Sequence, residues 1–124
     1  MKKFAPNLLA WLSGSDSARE HPYRRISMEE ARRLIEGDEK YTLLDVRTPG
    51  EYRSGHIPGA INVPNEEIGE KEPKALPDRE QPILVYCRSG NRSRQAAGKL
   101  AKLGYSNVLD MGGILYWPGA VVSE

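Results

Sequence analysis

Short apolar segments of the chain predict its strands. Residues 41–46 and 83–87 form apolar runs, which are typical of strands buried on both faces of a parallel sheet. Pro82 precedes the second run and marks where that strand begins. Shorter strands are predicted over residues 23–26, 60–63 and 105–109, so the chain supplies five strands.

Between these strands, residues recur with the spacing and the end signals of helices. Residues 27–30 read Ser-Met-Glu-Glu, which has the pattern of a capping box, and Gly37 is predicted to end the helix that follows. Residues 48–51 read Thr-Pro-Gly-Glu and predict one helical turn, because they combine an N-cap, a first-turn proline and an acid. The longest helix is predicted to start at Asn91 and to stop at Gly104. Its apolar face consists of Ala96, Ala97, Leu100, Ala101 and Leu103.

The alternation of strands and helices indicates an α/β fold. We expect a central, mostly parallel five-stranded sheet with helices on both faces, in which ligands bind beyond the carboxyl ends of the strands. Residues 65–81 are predicted to be a charged surface connection, with a helical turn near Ile68. Residues 111–113 are predicted to form a turn, and residues 114–117 a short helix that Pro118-Gly119 disrupts.

Residues 1–20 are predicted to be an N-terminal extension, and residues 21–124 to form the domain. Two lysines and an apolar patch resemble a secretory signal, but the apolar run over residues 8–12 is shorter than the roughly 7–15 residues of such a signal. No stretch approaches the ~20 apolar residues of a membrane span. A short amphipathic helix, followed by a Ser/Gly linker over residues 13–17, is the favoured interpretation. The helix packs either on its own domain or on a partner or second copy.

Composition and charge exclude several classes of function. With 18 basic and 17 acidic residues the net charge is +1, so we expect no general affinity for nucleic acid or membranes. The single cysteine cannot form an internal disulfide, so the fold does not need an oxidising compartment and we expect a cytoplasmic protein. No cofactor is expected, because no dinucleotide fingerprint or phosphate-binding P-loop is present. The oligomeric state stays open.

The polar loop between the fourth strand and the longest helix carries the candidate chemistry. Cys87 ends the strand and faces a helix N-terminus, where unpaired amides and the helix dipole stabilise an anion such as a thiolate. The neighbouring guanidinium groups would favour the thiolate and attract an anionic substrate, and Gly90 allows the positive φ that a cradle needs. The residues predicted to bind the substrate around this nucleophile are Arg88, Ser89, Gly90, Asn91 and Arg92.

The alternative is that Cys87 is an unreactive apolar residue, which is the commoner role of a lone cysteine. Its neighbours argue against this role, because an apolar core would not tolerate two arginines, a serine and an asparagine.

Three further polar residues are predicted to support the loop. Asp45 and Arg47 lie at the carboxyl end of the second strand and point to one face, so we expect an ion pair there, with direct substrate contact by Arg47 as the alternative. Ser93 is expected to support the loop from the first turn of the helix. His56 lies in a Gly-His-Ile-Pro-Gly turn and is interpreted as a structural residue rather than a general base for Cys87. No metal site is expected, since a zinc site needs three or four ligands.

Three stretches resemble the rhodanese (thiosulfate sulfurtransferase) family, and they occur in that family's order. VYCRSGNRS is similar to the family's active-site loop. LLDVRTPGEYRSGHIPGAINVP, residues 43–64, is similar to its amino-terminal segment, and GGILYWPGA to its closing glycine–tryptophan turn. The resemblance covers about residues 23–121 and implies a rhodanese-like domain, with the Asp45–Arg47 pair close to the active site.

The resemblance also implies sulfur transfer through a persulfide. The Cys87 thiolate would take the outer sulfur of a small anionic donor such as thiosulfate. Cyanide, a low-molecular-weight thiol or a protein cysteine would then accept it. The acceptor has to come from outside, because the chain contains no second cysteine.

Two other functions stay open. Cysteine phosphatases and arsenate reductases use a similar strand–loop–helix, but in phosphatases five residues separate the cysteine from the arginine. Here four residues separate Cys87 from Arg92, and Ser93 occupies the position that would complete the phosphatase pattern. A non-catalytic rhodanese-like module that binds a partner would need neither the cysteine nor the polar loop.

Overall fold

The computed structural model describes residues 23–124, in which five parallel strands form one sheet between helices. This arrangement confirms the predicted α/β fold. The strands are β1 (Arg24–Arg25), β2 (Thr42–Asp45), β3 (Ile61–Asn62), β4 (Ile83–Cys87) and β5 (Val108–Gly113). The helices are α1 (Met28–Glu36), α2 (Pro49–Ser54) and α3 (Asn91–Lys102), and 3-10 turns cover Asn65–Glu67 and Ile114–Tyr116.

The central strand of the sheet is β4, and all five of its residues are buried. The strand order is β1-β5-β4-β2-β3, and every neighbouring pair is parallel, so the carboxyl ends of the strands lie at one edge. Successive side chains of a strand point to opposite faces. Val85 and Cys87 therefore pack with Leu100 of α3, whereas Leu84 packs with Leu34 of α1 on the other face. The prediction of a sheet covered on both faces is confirmed.

The helix ends follow the predicted capping residues. The Ser27 hydroxyl accepts a hydrogen bond from the Glu30 amide at 3.0 Å at the start of α1. At α2, Thr48 Oγ1 accepts from the Glu51 amide at 3.2 Å while Glu51 Oε1 accepts from the Thr48 amide at 2.9 Å, which completes a capping box. This helix has 6 residues and is longer than the single predicted turn. Gly104 follows α3 with a φ of +100°, as expected for a helix stop.

The last strand differs from the sequence prediction. Instead of ending at Leu109 before a turn, β5 starts at Val108 and runs through the predicted turn to Gly113. Its register with β4 shifts next to Val85, so that Met111 has no direct partner. Gly113 allows close packing, because a Cβ there would collide with the carbonyl oxygen of Arg88, and Gly112 has a φ of +91°, which favours glycine.

The connection over residues 65–81 was predicted to be a charged surface segment, but it also contributes side chains to the core. Ile68 and Leu76 are 1% and 2% exposed and belong to the same core cluster as Cys87. The Tyr105 hydroxyl donates to the Leu76 carbonyl oxygen at 2.5 Å. Two buried side chains therefore fasten this connection to the domain.

Two predictions fall wholly or partly outside the described residues. These are the extension over residues 1–20, with its amphipathic helix and linker, and the domain boundary at residue 21. Among residues 23–124, none of the helices has the length and apolar character needed to cross a membrane.

Candidate active site

The candidate nucleophile lies at the carboxyl end of the central strand. Cys87 is the last residue of β4 and is 1% exposed. The Gly90 amide donates a hydrogen bond to its Sγ at 3.0 Å. Gly90 has a φ of +113° and is the N-cap of α3, so the predicted positive φ is confirmed. The sulfur therefore receives an amide hydrogen bond at a helix N-terminus, a position that favours negative charge.

A buried polar cluster under the loop holds this turn in place. Ser93 is completely buried, and its hydroxyl donates to Asp110 Oδ1 at 2.8 Å and lies 3.1 Å from the Gly90 carbonyl oxygen. The Gly112 amide donates to the same Asp110 Oδ1 at 3.0 Å. These contacts join the first turn of α3 to the end of β5. They agree with the predicted supporting position of Ser93, although its effect on reactivity stays a prediction.

The guanidinium of Arg92 is bound by an acidic residue of α2. Its Nη1 and Nη2 donate to the two carboxylate oxygens of Glu51, at 2.7 and 3.0 Å. This hydrogen-bonded pair, together with the Thr48 amide, lowers the pKa of Glu51 from 4.5 to about 2. Glu51 in turn raises the pKa of Arg92. The sequence assigned Glu51 only to helix capping. In the structure Glu51 also neutralises the charge of Arg92, one of the two arginines predicted to bind the substrate.

Arg88 is in a different environment from Arg92. It is exposed, and none of residues 23–124 forms a hydrogen bond or ion pair with its side chain. The remaining loop residues, Ser89 and Asn91, are also exposed, and Asn91 Oδ1 accepts a hydrogen bond from Arg94 at 2.6 Å. Arg88 is therefore the guanidinium of the loop that stays available to an anion.

The predicted ion pair at the end of β2 is confirmed. Arg47 Nη2 donates to Asp45 Oδ2 at 2.7 Å, and Arg47 Nε lies 3.0 Å from Asp45 Oδ1. Both side chains are buried, and Arg47 also donates to the Gly55 carbonyl oxygen at 2.6 Å. The guanidinium of Arg47 is therefore bound by Asp45 and by the backbone of Gly55. That the pair supports the active-site loop stays a prediction.

An open groove of about 480 Å³ lies beside the loop. It lies next to the residue that follows Cys87, and it combines charged side chains with aliphatic ones. The lining residues are Arg47, Gly50, Glu51, Ser54, Gly55, Arg88, Ile114, Leu115 and Val121.

The structure places Cys87 at the N-terminus of α3, as the residue pattern predicted, with the exposed guanidinium of Arg88 next to it in the loop. The family model for the rhodanese-like domain matches residues 27–120, which is most of the chain. The chain belongs to the rhodanese-like family.

Individual relatives support this assignment. Thiosulfate sulfurtransferase PspE of Escherichia coli is 41% identical over 71 residues, which cover 57% of this chain and 68% of PspE. A sulfurtransferase of Allochromatium vinosum is 38% identical over 93 residues, which cover 74% of this chain and 85% of the relative. The solved structure of a rhodanese with anions from E. coli superposes with a TM-score of 0.63 at 35% identity, covering 68% of this chain and all of that one.

In this rhodanese-like domain His56 has structural contacts. Its Nδ1 lies 2.7 Å from the Tyr52 carbonyl oxygen, and its ring stacks on the Tyr52 ring at a centroid distance of 3.7 Å. Its backbone pairs with Val122 in an antiparallel bridge. Its partners are thus Tyr52 and the C-terminal segment, which agrees with the structural interpretation. Within residues 23–124, no three His, Cys, Asp or Glu side chains form a group that could hold a metal ion.

Sequence reasoning missed two residues of the site. Glu51 carried a signal only as the acid of a capping box, and its partner Arg92 is 41 positions away. Asp110 carried a weaker signal, a lone acid within an apolar strand, and its partner Ser93 is 17 positions away. Neither contact has a local sequence pattern, because each joins elements that only the folded sheet brings together.

Proposed function

We propose that this protein is a sulfurtransferase that carries sulfane sulfur on Cys87 as a persulfide. The observation that carries the proposal is the 3.0 Å hydrogen bond from the Gly90 amide to Cys87 Sγ at the start of α3. Such a donor stabilises negative charge on the sulfur, both in the attacking thiolate and in the leaving thiolate of the second step. The names of the relatives support the same reaction class.

The first half-reaction loads the cysteine. The Cys87 thiolate attacks the outer sulfur of thiosulfate, a new S–S bond forms, and the bond between that sulfur and the sulfonate breaks. The bonding electron pair leaves with sulfite. The exposed guanidinium of Arg88 holds the sulfonate oxygens and stabilises the charge that develops on the departing sulfite.

The second half-reaction returns the thiolate. An acceptor such as cyanide or an external thiolate attacks the outer sulfur of the persulfide. The S–S bond breaks, and its electron pair returns to Cys87. The chain has one cysteine, so no second thiol of the chain competes as acceptor. Two separate half-reactions with one covalent intermediate give ping-pong kinetics.

The phosphatase alternative finds less support in the loop. A phosphatase-type loop needs its guanidinium at the position of Ser93, and the Ser93 side chain is completely buried against Asp110. The neighbouring Arg92 is already bound by both carboxylate oxygens of Glu51. A bidentate clamp on a phosphoryl group would have to break that pair.

The test is the mass of the intact protein after incubation with thiosulfate. We expect a gain of one sulfur atom, which cyanide removes, and no gain in the nearly isosteric variant Cys87→Ser. The same preparation should not hydrolyse an aryl phosphate. A protein that dephosphorylates and never gains sulfur would establish the phosphatase alternative, and one that does neither would be a non-catalytic binding module.

A further inference from the structure

The exposed large apolar side chains of residues 23–124 are confined to one segment. They are Leu115, Tyr116, Val121 and Val122, with 56%, 69%, 53% and 45% of their surfaces exposed. We call these four side chains the apolar rim. Single scattered apolar side chains are normal on a protein surface, whereas exposed apolar side chains gathered in one region mark a binding surface.

The apolar rim borders the active-site loop. The Leu115 amide donates to the Arg88 carbonyl oxygen at 3.2 Å. Leu115 and Val121 also line the open groove of about 480 Å³, together with the Arg88 side chain. The groove therefore lies beside the residue that follows the nucleophile.

The groove contains one unbalanced charge. Of the charged residues that line it, Arg47 is paired with Asp45, and Glu51 with Arg92. Arg88 has no partner among residues 23–124. The segment over residues 114–123 contains no charged side chain. A complementary ligand is therefore apolar along the rim and carries a negative charge opposite Arg88.

We propose that the apolar rim and the groove dock an extended segment of a second protein, whose cysteine accepts the sulfur and is flanked by apolar and acidic residues. This inference rests on the proposed function. The acceptor has to come from another molecule and has to reach a cysteine residue that is 1% exposed, which favours a narrow, extended segment over a flat protein surface. A small thiol confined to the groove would leave Tyr116 and Val122, which do not line it, uncovered.

The transfer step balances without a further reactant. The acceptor cysteine loses its proton to solvent, and its thiolate attacks the outer sulfur of the Cys87 persulfide. A new S–S bond forms on the acceptor, the bond between the two sulfurs on Cys87 breaks, and the electron pair returns to the Cys87 thiolate.

The experiment compares two acceptors with the same thiosulfate-loaded, full-length protein. One is cyanide, and the other is a synthetic peptide with a single cysteine flanked by leucine and glutamate. We expect Leu115→Ser and Tyr116→Ser each to slow transfer to the peptide about tenfold, because each removes apolar area from the contact. Tyr116 does not line the groove, so Tyr116→Ser should leave transfer to cyanide unchanged. A peptide with lysine in place of glutamate should be a poorer acceptor than the original.

Charge is tested with a matched pair of variants. Arg88→Gln should reduce the difference between the glutamate and lysine peptides, whereas Arg94→Gln should preserve it, since Arg94 is exposed on α3 but does not line the groove. An equal effect of the two variants would show that net charge alone attracts the peptide, and would overturn the proposal.

Three other outcomes would also overturn the proposal. Unchanged peptide transfer in both Leu115→Ser and Tyr116→Ser would mean that the apolar rim is not the contact. Slower peptide transfer in Leu115→Ser but not in Tyr116→Ser would confine the contact to the groove, which a small organic thiol could fill. A protein dimer in sedimentation that Tyr116→Ser dissociates would assign the rim to a second copy of the chain.

Binding separates this inference from the proposed function. A fluorescent version of the peptide with serine in place of cysteine should bind the unloaded protein and lose about tenfold in affinity with Tyr116→Ser. Such binding without any sulfur transfer would contradict the proposed function and keep the docking surface. Persulfide formation without binding that depends on the apolar rim would support the proposed function and contradict the docking surface.

Discussion

The strands on either side of β4 each contribute one completely buried carboxylate, and the two are satisfied in different ways. Asp45 of β2 binds the guanidinium of Arg47, a full ion pair with several hydrogen bonds. Asp110 of β5 accepts from two neutral donors, the Ser93 hydroxyl and the Gly112 amide, through one oxygen. Its other oxygen, Oδ2, is buried without a hydrogen-bond partner among the described residues.

The partners of the two carboxylates lie on opposite faces of the sheet. The Asp45 partner, Arg47, lies over the ring of Tyr86, which belongs to the core cluster on the α1 side. The Asp110 partner Ser93 belongs to α3, whose buried residues pack with Cys87. The difference suggests a division of roles. The charged pair fastens the end of β2, and the neutral hydrogen bonds fix the turn that presents the Gly90 amide to the sulfur.

The largest expected effect comes from breaking the charged pair. Arg47→Met leaves the Asp45 carboxylate buried without a counter-charge, so the free energy of unfolding should fall by about 3–5 kcal/mol in urea titrations. The control is Arg32→Met, which removes an ion pair to Glu36 that is 45% and 62% exposed. That variant should lose less than about 1 kcal/mol. Equal losses would mean that burial does not distinguish the two pairs.

A smaller effect is expected at Asp110. Asp110→Ala removes the shared acceptor of two buried donors, of which the Ser93 hydroxyl retains the Gly90 carbonyl oxygen at 3.1 Å, so the free energy of unfolding should fall by about 1–3 kcal/mol. Asp110→Asn retains an acceptor oxygen and should lose less, in the same urea titrations. If Asp110→Asn proves as damaging as Asp110→Ala, the negative charge itself is needed, and the contrast with Asp45 fails.

The smallest effect is expected for the pair of Glu51 and Arg92, because it is partly exposed whereas both Asp45 and Asp110 are buried. The pKa of Glu51 is about 2 in the folded chain and 4.5 in the reference state, so its contribution is fully present above pH 4.5 and is lost as the pH falls towards 2. Because the side chains are 29% and 33% exposed, we expect about 1 kcal/mol. The stability difference between the wild type and Glu51→Gln should shrink over that pH range. A difference that stays constant down to pH 2 would contradict this assignment.

Much of the fold could be predicted because its signals are local. The apolar run of β4, the capping residues of α1 and α2, and the glycine at the start of α3 each depend on neighbours within a few positions. The Asp45–Arg47 pair was predictable for the same reason, since two residues two apart at the end of a strand face the same side.

The prediction of the end of β5 was wrong because a glycine pair occurs both in turns and in irregular strands. Gly112 and Gly113 are turn residues in most local contexts, but here they continue the strand with a shifted register next to β4. The strand needs glycine at position 113 because the carbonyl of Arg88 lies where a Cβ of Gly113 would be. That neighbour is far away in the sequence.

The sequence by itself determined the α/β class, the buried strand that ends at Cys87, the position of Cys87 at a helix N-terminus and the residues of its loop. Only the tertiary structure decided how the loop's charges are shared. Glu51 reaches Arg92 across 41 positions and leaves Arg88 as the unpaired guanidinium of the groove, and Asp110 reaches Ser93 across 17 positions to hold the turn beneath the sulfur. The physical reason is that ion pairs and buried hydrogen bonds depend on distances in space, which strand order and helix packing set and which local patterns do not record.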